Sequence, residues 1–334
     1  MFRQTAIKTC AIAAMILVLG GYTLFGGHFA RELVIEAAIL AMLAISVDVL
    51  AGYVGMISLA HGAILGLGAY GYAVTSLKLG APPAAAMLAA MAVSALFGAA
   101  VGAVAARTRG IFFIMATLAF GQMAYVLIFD ARSLGGDDGM SGVARLDLSA
   151  VGIDLQGSAA FAFFCLACLV LAYAAAAWVL TSGFGRSLCG IRENEDRMRA
   201  LGVAVWKFKS GAFAFSGLLA GLAGALAAQH SMFVSPEMMT WMVSGEALVT
   251  VILGGLGTLA GPVVGAVLLV FLKHLVSGMT AYWHMIIGAV LILAVVAGGR
   301  GVYGGLERLI GMRLPRRAQK REPARNLMEA QADA

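Results

Sequence analysis

Residues 159–181 read AAFAFFCLACLVLAYAAAAWVLT, without one charged side chain. A helix needs roughly 20 apolar residues to cross the hydrocarbon of a bilayer, and this run supplies them. Cys165 and Cys168 have CxxC spacing, but they sit inside the run. They read as buried packing residues and not as a redox or metal pair. Similar runs recur on both sides, at about 7–27, 33–51, 57–77, 84–106, 110–129, 210–230, 244–254, 260–276 and 283–299. Hydrophobic residues make up 61% of the 334 and charged residues 12%, against roughly 45–50% and 25% in soluble domains. No globular core absorbs that excess, so apolar surface must face lipid. The expected fold is all-α, a polytopic transmembrane bundle of about ten spans over residues 1–312. A basic tail at 313–334 has no apolar face and reads as disordered. The N-terminal run carries Arg3 and Lys8 without a clear cleavage site, and reads as a retained first helix.

The eighth run is half a bilayer long and ends in GGLGTLAGP at 254–262, which must bend or break a helix. Irregular backbone at membrane depth is tolerated only where protein covers it or it lines a wet cavity. Gly254, Gly255 and Gly257 are therefore candidates for the translocation path or its gate. Charge tests the count. With the N-terminus in the cytoplasm and ten alternating spans, 18 of the 23 Lys and Arg fall inside, and only Arg31, Lys78, Arg132, Arg145 and Lys273 do not. That is the bias the positive-inside rule predicts, and it requires the short run to complete a crossing. Residues 130–158 then form an outer loop and 182–209 an inner one. The net charge of +6 thus reflects topology and not nucleic acid. Spans 2–5 and 7–10 would run in opposite senses, so a repeat pairing them would be inverted.

Gly66-Leu-Gly68-Ala-Tyr-Gly71 matches GxGxxG, but it stands in an apolar helix and not after a strand. Ser58, Gly62 and Gly66 recur every four residues and read as a face for close helix packing. No GxxxxGK[ST], HExxH or GxSxG occurs, so no cofactor, metal or catalytic set is assigned. Any ATP hydrolysis must come from another polypeptide. Glu36, Asp48, His61, Thr117, Gln122, Glu246 and His284 are polar groups in or near spans, where polar residues suggest function. Glu36, Asp48, Glu246 and His284 lie near span ends within reach of headgroups. His61 reads first as a packed histidine bonded to a neighbouring helix. The inner loop is the most informative stretch. A helix over 187–201 would place Leu188, Ile191, Met198 and Leu201 within about 140° of one another, with Gly202 as its C-terminal cap. Such a stripe suits the membrane surface or a partner's groove.

Five blocks in order carry a resemblance. They are GYVGMISLAHG at 52–62 with Gly66, Gly68, Ala69 and Tyr70; RGIFF at 109–113 with ATLAFG at 116–121; GDDGMSG at 136–142; SPE at 235–237; and GGLGTLAGP at 254–262. Over roughly residues 33–305 the chain resembles the LivM-type permease subunit of branched-chain amino-acid ABC importers. In that family Ala-Ile-Arg-Glu-Asn-Glu belongs to a helix that docks on the ATPase. The matching stretch is Gly190, Ile191, Arg192, Glu193, Asn194 and Glu195, and it departs from the pattern by continuing Asp196-Arg197 where small alanines are common. The resemblance therefore implies a coupling helix at about 185–202. It also implies a paralogous permease, two cytoplasmic ATPases, a periplasmic solute-binding protein and alternating access in the bacterial inner membrane. Related permeases carry urea, short amides or other amino acids. A secondary transporter would need a buried ion-coupling cluster, and the polar residues here are scattered.

Overall fold

Where no water reaches, every backbone N–H and C=O must find a partner within the chain, so apolar runs of this length fold as helices. A computed structural model describes residues 6–278 apart from 106 and 147–154, with isolated positions between 285 and 292; side chains are described from residue 14 onward. The helices are α1 (Ala6–Phe25), α2 (His28–Asp48), α3 (His61–Leu77), α4 (Pro83–Ala105), α5 (Ile111–Phe129), α6 (Ser158–Thr181), α7 (Gly183–Glu193), α8 (Glu195–Ala200), α9 (Val205–Ser231), α10 (Trp241–Gly254) and α11 (Ala260–Ser277). A π-helical segment, Val49–Val54, extends α2. Two short strands, β1 (Met140–Ser141) and β2 (Phe233–Val234), pair antiparallel.

Six helices among the described residues are long and apolar enough to cross a bilayer: α2 with its π-helical extension, α4, α5, α6, α9 and α11. That is fewer than the ten spans expected. α3 has 17 residues and α10 has 14, because irregular backbone supplies the rest of each path. The expected span at 283–299 and the tail at 313–334 lie outside the described residues, save those isolated positions. α2 and α9 are the inner helices, and α4 and α5 turn most of their surface outward. Leu96, Phe112 and Leu127 are exposed there, as lipid contact requires.

Small residues let the inner helices approach closely. A Cβ on Gly217 would lie 2.4 Å from the Ser94 carbonyl oxygen, and one on Gly98 would lie 2.6 Å from that of Phe213, so α4 and α9 touch backbone to backbone. The Ser94 hydroxyl also donates to the Ile64 carbonyl, 2.9 Å away, tying α3 into the pair. Ser58, however, precedes α3, so it shares no helical face with Gly62 and Gly66. Those two glycines pack instead against Thr240, Ser244 and Met239.

The bundle has two distinct ends. One carries β1, from the α5–α6 connection, paired with β2 after α9; Lys78, after α3, donates to the Ser133 carbonyl there. The other carries α7 and α8, from the α6–α9 connection, where Arg109 bonds to Asp196 at 2.9 Å. The chain leaves β2 at the first end and reaches Gly257 beside Arg192 at the second. A 3-10 turn, Pro236–Met239, and the short α10 therefore pass from one end of the bundle to the other.

Candidate functional site

Helical backbone is interrupted in three places at the α7 end, and the interruptions meet. The π-helical segment ends at Gly55, whose φ is 81°, and residues 55–60 are not helical. Between α10 and α11, Gly255 has φ 122° and Gly257 has φ 74°. Leu259 follows with φ 58°, a region non-glycine residues rarely adopt and one where functional sites store strain. The third interruption parts α7 from α8 at Asn194.

Asp48 joins the first two. Its carboxyl is wholly buried. Oδ1 accepts the Gly257 N–H at 2.6 Å and Oδ2 accepts the Leu259 N–H at 3.2 Å. Backbone donors at the approach to a helix have no intrahelical partner, so the carboxyl does for α11 what a cap would do. Arg192, in the last turn of α7, ties in the third element. Its guanidinium donates to the Gly52 carbonyl, its stem packs on Gly55, and it stands within electrostatic reach of Asp48. Gly52 is a glycine because of this crowding. A Cβ there would lie 2.2 Å from Asp48 Oδ1 and 2.7 Å from the Gly257 backbone.

Above the junction a buried polar ladder holds the non-helical segment. His61 Nε2 lies 3.0 Å from the Ser216 hydroxyl, which donates to the Ser46 carbonyl at 2.7 Å. Thr117 accepts the Leu59 N–H at 3.2 Å, and Ser244 accepts the Gly62 N–H at 2.7 Å and donates to the Leu59 carbonyl at 2.8 Å. Ser58 accepts the Ala60 N–H at 3.2 Å. The His61 ring is fully buried, with Nδ1 also 3.4 Å from the Ser58 carbonyl. Gln122 is half-buried on α5.

Below the junction lies an ion cluster. Glu195 takes Lys209 at 2.9 Å, Arg199 at 2.6 Å and Arg109 at 3.3 Å. Burial pushes the Glu195 carboxyl up, but the hydrogen bond and charge of Lys209, with Arg109 and Arg199, outweigh it and hold it below the usual carboxylate range. The Asp196 carboxyl is held low by its hydrogen bond to Arg109. A cavity of about 310 Å³ opens between this cluster and the non-helical segment, bounded by Met56, Thr108, Phe113, Ile191 and Arg192.

The inner loop departs from the single helix expected over 187–201. Asn194 is extended (φ −158°, ψ 100°) and its side chain accepts the Arg197 N–H at 2.8 Å, which ends α7 and caps α8. The predicted stripe splits accordingly. Leu188 is fully buried and Ile191 nearly so, packed into this chain's own core. Met198 folds back over Gly190, and only Leu201 is open, at 70%. Arg192 faces the junction, while Glu193 is exposed. Gly202 has φ 81° at the end of α8, the geometry of a C-terminal cap.

A profile described as "Branched-chain amino acid transport system / permease component" matches residues 29–295. The chain belongs to this permease family. Two relatives of the permease are the high-affinity branched-chain amino acid transport system permease proteins LivM of Salmonella typhimurium and Escherichia coli. The first is 26% identical over 88% of this chain and 74% of its own length; the second is 27% identical over 76% and 65%. The ribose import permease protein RbsC of Escherichia coli is 32% identical over 36% of this chain and 40% of its own length. No solved structure matches the permease. It is a multi-pass membrane protein and a permease component of a transport system.

The sequence pointed to Gly254, Gly255, Gly257 and Arg192 but not to the carboxyl that bonds Gly257 and Leu259. Asp48 was legible only as an acid near a span end. The signal that could have found it is chemical: a glycine-rich break inside a membrane leaves bare N–H groups, and a buried acid is the group that binds them.

Proposed function

We propose that this permease is the membrane subunit of an ATP-driven importer that moves branched-chain amino acids across the bacterial inner membrane by alternating access. In this reading its α7 end, both termini and the basic tail are cytoplasmic, and ten crossings include the broken ones. Two separate ATPases dock beneath α7 and α8, a paralogous permease packs alongside, and a periplasmic binding protein delivers the solute. The supporting observation is the Arg192 link. A push on the α7–α8 loop reaches Gly52 and, through Asp48, the break between α10 and α11. Both breaks bound the helices that would have to tilt.

Docking falls to the exposed side of the loop. Leu201 and Trp206 stand open at the α8–α9 turn, with Arg197 exposed beside them. Leu188 and Ile191 serve to seat the loop on the bundle. The test is co-purification of the ATPases with Leu201→Asp and Arg197→Glu variants. Loss of the ATPases with normal insertion supports the reading; full ATPase retention and uptake by the double variant refutes the docking surface. A related permease for another amino acid, urea or a short amide is the second reading, and transport competition separates them.

A further inference from the structure

At the opposite half of the bundle, α2, α3, α9, α10 and α11 line an open cavity of about 320 Å³, at the small end of the roughly 300–1,000 Å³ of ligand pockets. One wall is aliphatic: Ile39, Leu40, Leu43, Leu65 and Val243. The other carries Glu36, Glu246, Lys273 and His230. Lys273 Nζ lies 2.8 Å from Glu246 and 3.9 Å from Glu36, and Glu36 takes His274 at 3.1 Å. Glu32 takes His230 at 3.4 Å. The Nδ1 of His230 is buried and has no hydrogen-bond partner among the described residues.

Such groups do not face hydrocarbon. Glu36 stands eight residues into α2, about 12 Å down the helix, where an ionised side chain facing lipid is costly. Their presence means that water or a polar ligand reaches them. We infer that this cavity is a solute subsite for a free aliphatic α-amino acid, its carboxylate on Lys273, its ammonium between Glu36 and Glu246, and its side chain against Ile39, Leu40 and Leu43. The inference deepens the import reading and rests on it.

The Lys273–Glu246 pair suits a zwitterion in particular. An incoming carboxylate replaces Glu246 at the lysine and an incoming ammonium replaces the lysine at Glu246, so no charge is left unpaired. A lone anion or cation satisfies one side and strands the other, and a charge left without its partner in a half-buried site is the costly outcome. A sugar offers no charge for either and leaves the aliphatic wall facing hydroxyls. Two carboxylates of the lining, Glu36 and Glu246, share Lys273, and an incoming ammonium would stand between them.

The test is direct binding of radiolabelled leucine to the full chain in lipid nanodiscs, without the binding protein. Leucine should bind and be displaced by isoleucine, and leucinamide, 4-methylpentanoate and ribose should compete at least about tenfold more weakly. Lys273→Met and Glu246→Gln should each weaken binding about tenfold or more, and Ile39→Trp should block it by filling the cavity while the protein elutes normally. Equal competition by leucinamide or 4-methylpentanoate overturns the zwitterion, and displacement by ribose overturns the solute class. No leucine binding by a wild-type protein that still drives ATP-dependent uptake overturns the subsite and leaves the import reading standing.

Discussion

Gly52→Ala places a single methyl group at the junction of all three breaks. The new Cβ would lie 2.2 Å from Asp48 Oδ1 and 2.7 Å from both the Gly257 N and Cα, where ordinary contact begins at 3.4 Å. To reach that contact the carboxyl must withdraw by about 1.2 Å and the α10–α11 connection by about 0.7 Å. These are the two ends of one hydrogen bond, now 2.6 Å long, so the methyl acts on it as a wedge. Overpacking costs about 1–3 kcal/mol, and a buried N–H left without its acceptor costs about 1–3 more. A total of roughly 2–6 kcal/mol corresponds to a thermal midpoint lower by roughly 3–9 °C. A shift of even ~1.4 kcal/mol between inward and outward arrangements changes their ratio tenfold. The expected outcome is therefore a destabilised permease whose uptake falls about tenfold or more while it still inserts. Size-exclusion melting and radiolabelled leucine uptake measure the two effects. Gly245→Ala is the control, because a Cβ there meets nothing within 4 Å; it should change stability by less than about 1 kcal/mol. Wild-type melting and uptake for Gly52→Ala would refute the close-packed junction.

The buried and open halves of the α7–α8 loop should separate cleanly. Leu188→Asp puts a charge into a fully buried site and should abolish folded protein by size-exclusion profile, whereas Leu201→Asp should fold normally. The Glu195 cluster carries a pH signature. Its carboxyl is held below its ordinary range, so its stabilisation is complete above that range and is lost as pH falls through the lowered value. The melting difference between wild type and Glu195→Gln should shrink on acidification from neutral pH, and a constant difference would count against the cluster. Cys189 is half-buried, and burial raises its thiol, so alkylation should be slow at neutral pH and accelerate with pH. A membrane-impermeant maleimide should reach it, by comparison with Cys189→Ser, in inside-out vesicles and not in intact cells; the reverse sidedness would overturn the proposed orientation.

Much of the bundle was legible because a lipid solvent leaves few choices. The run at 159–181 became α6 at Ser158–Thr181, and the charged loop at 182–209 sits at one end as a unit. Boundaries were less legible where helices are broken. A period of four through Ser58, Gly62 and Gly66 fits a helix as readily as an extended approach followed by a helix. Only the long-range bonds from Thr117 and Ser244 favour the second. The inner loop misled for a similar reason. An amphipathic stripe says that a face is buried but not against what, and here the cover for Leu188 is this chain's own core. Asn194 was a break in plain view, since asparagine caps helices well. The charge cluster of Glu36, Glu246 and Lys273 was beyond reach, because its members lie on three helices and Glu36 is more than 200 residues of chain from the other two.

The glycine contacts between α4 and α9 have a mechanical consequence. Helices that meet backbone to backbone cannot slide past each other without collision, and they have no flexible side chains between them to absorb a shift. The two therefore travel as a keel, a single stiff body. Any rocking in this protein has to be taken up elsewhere, at the places where the chain has already stopped being a helix.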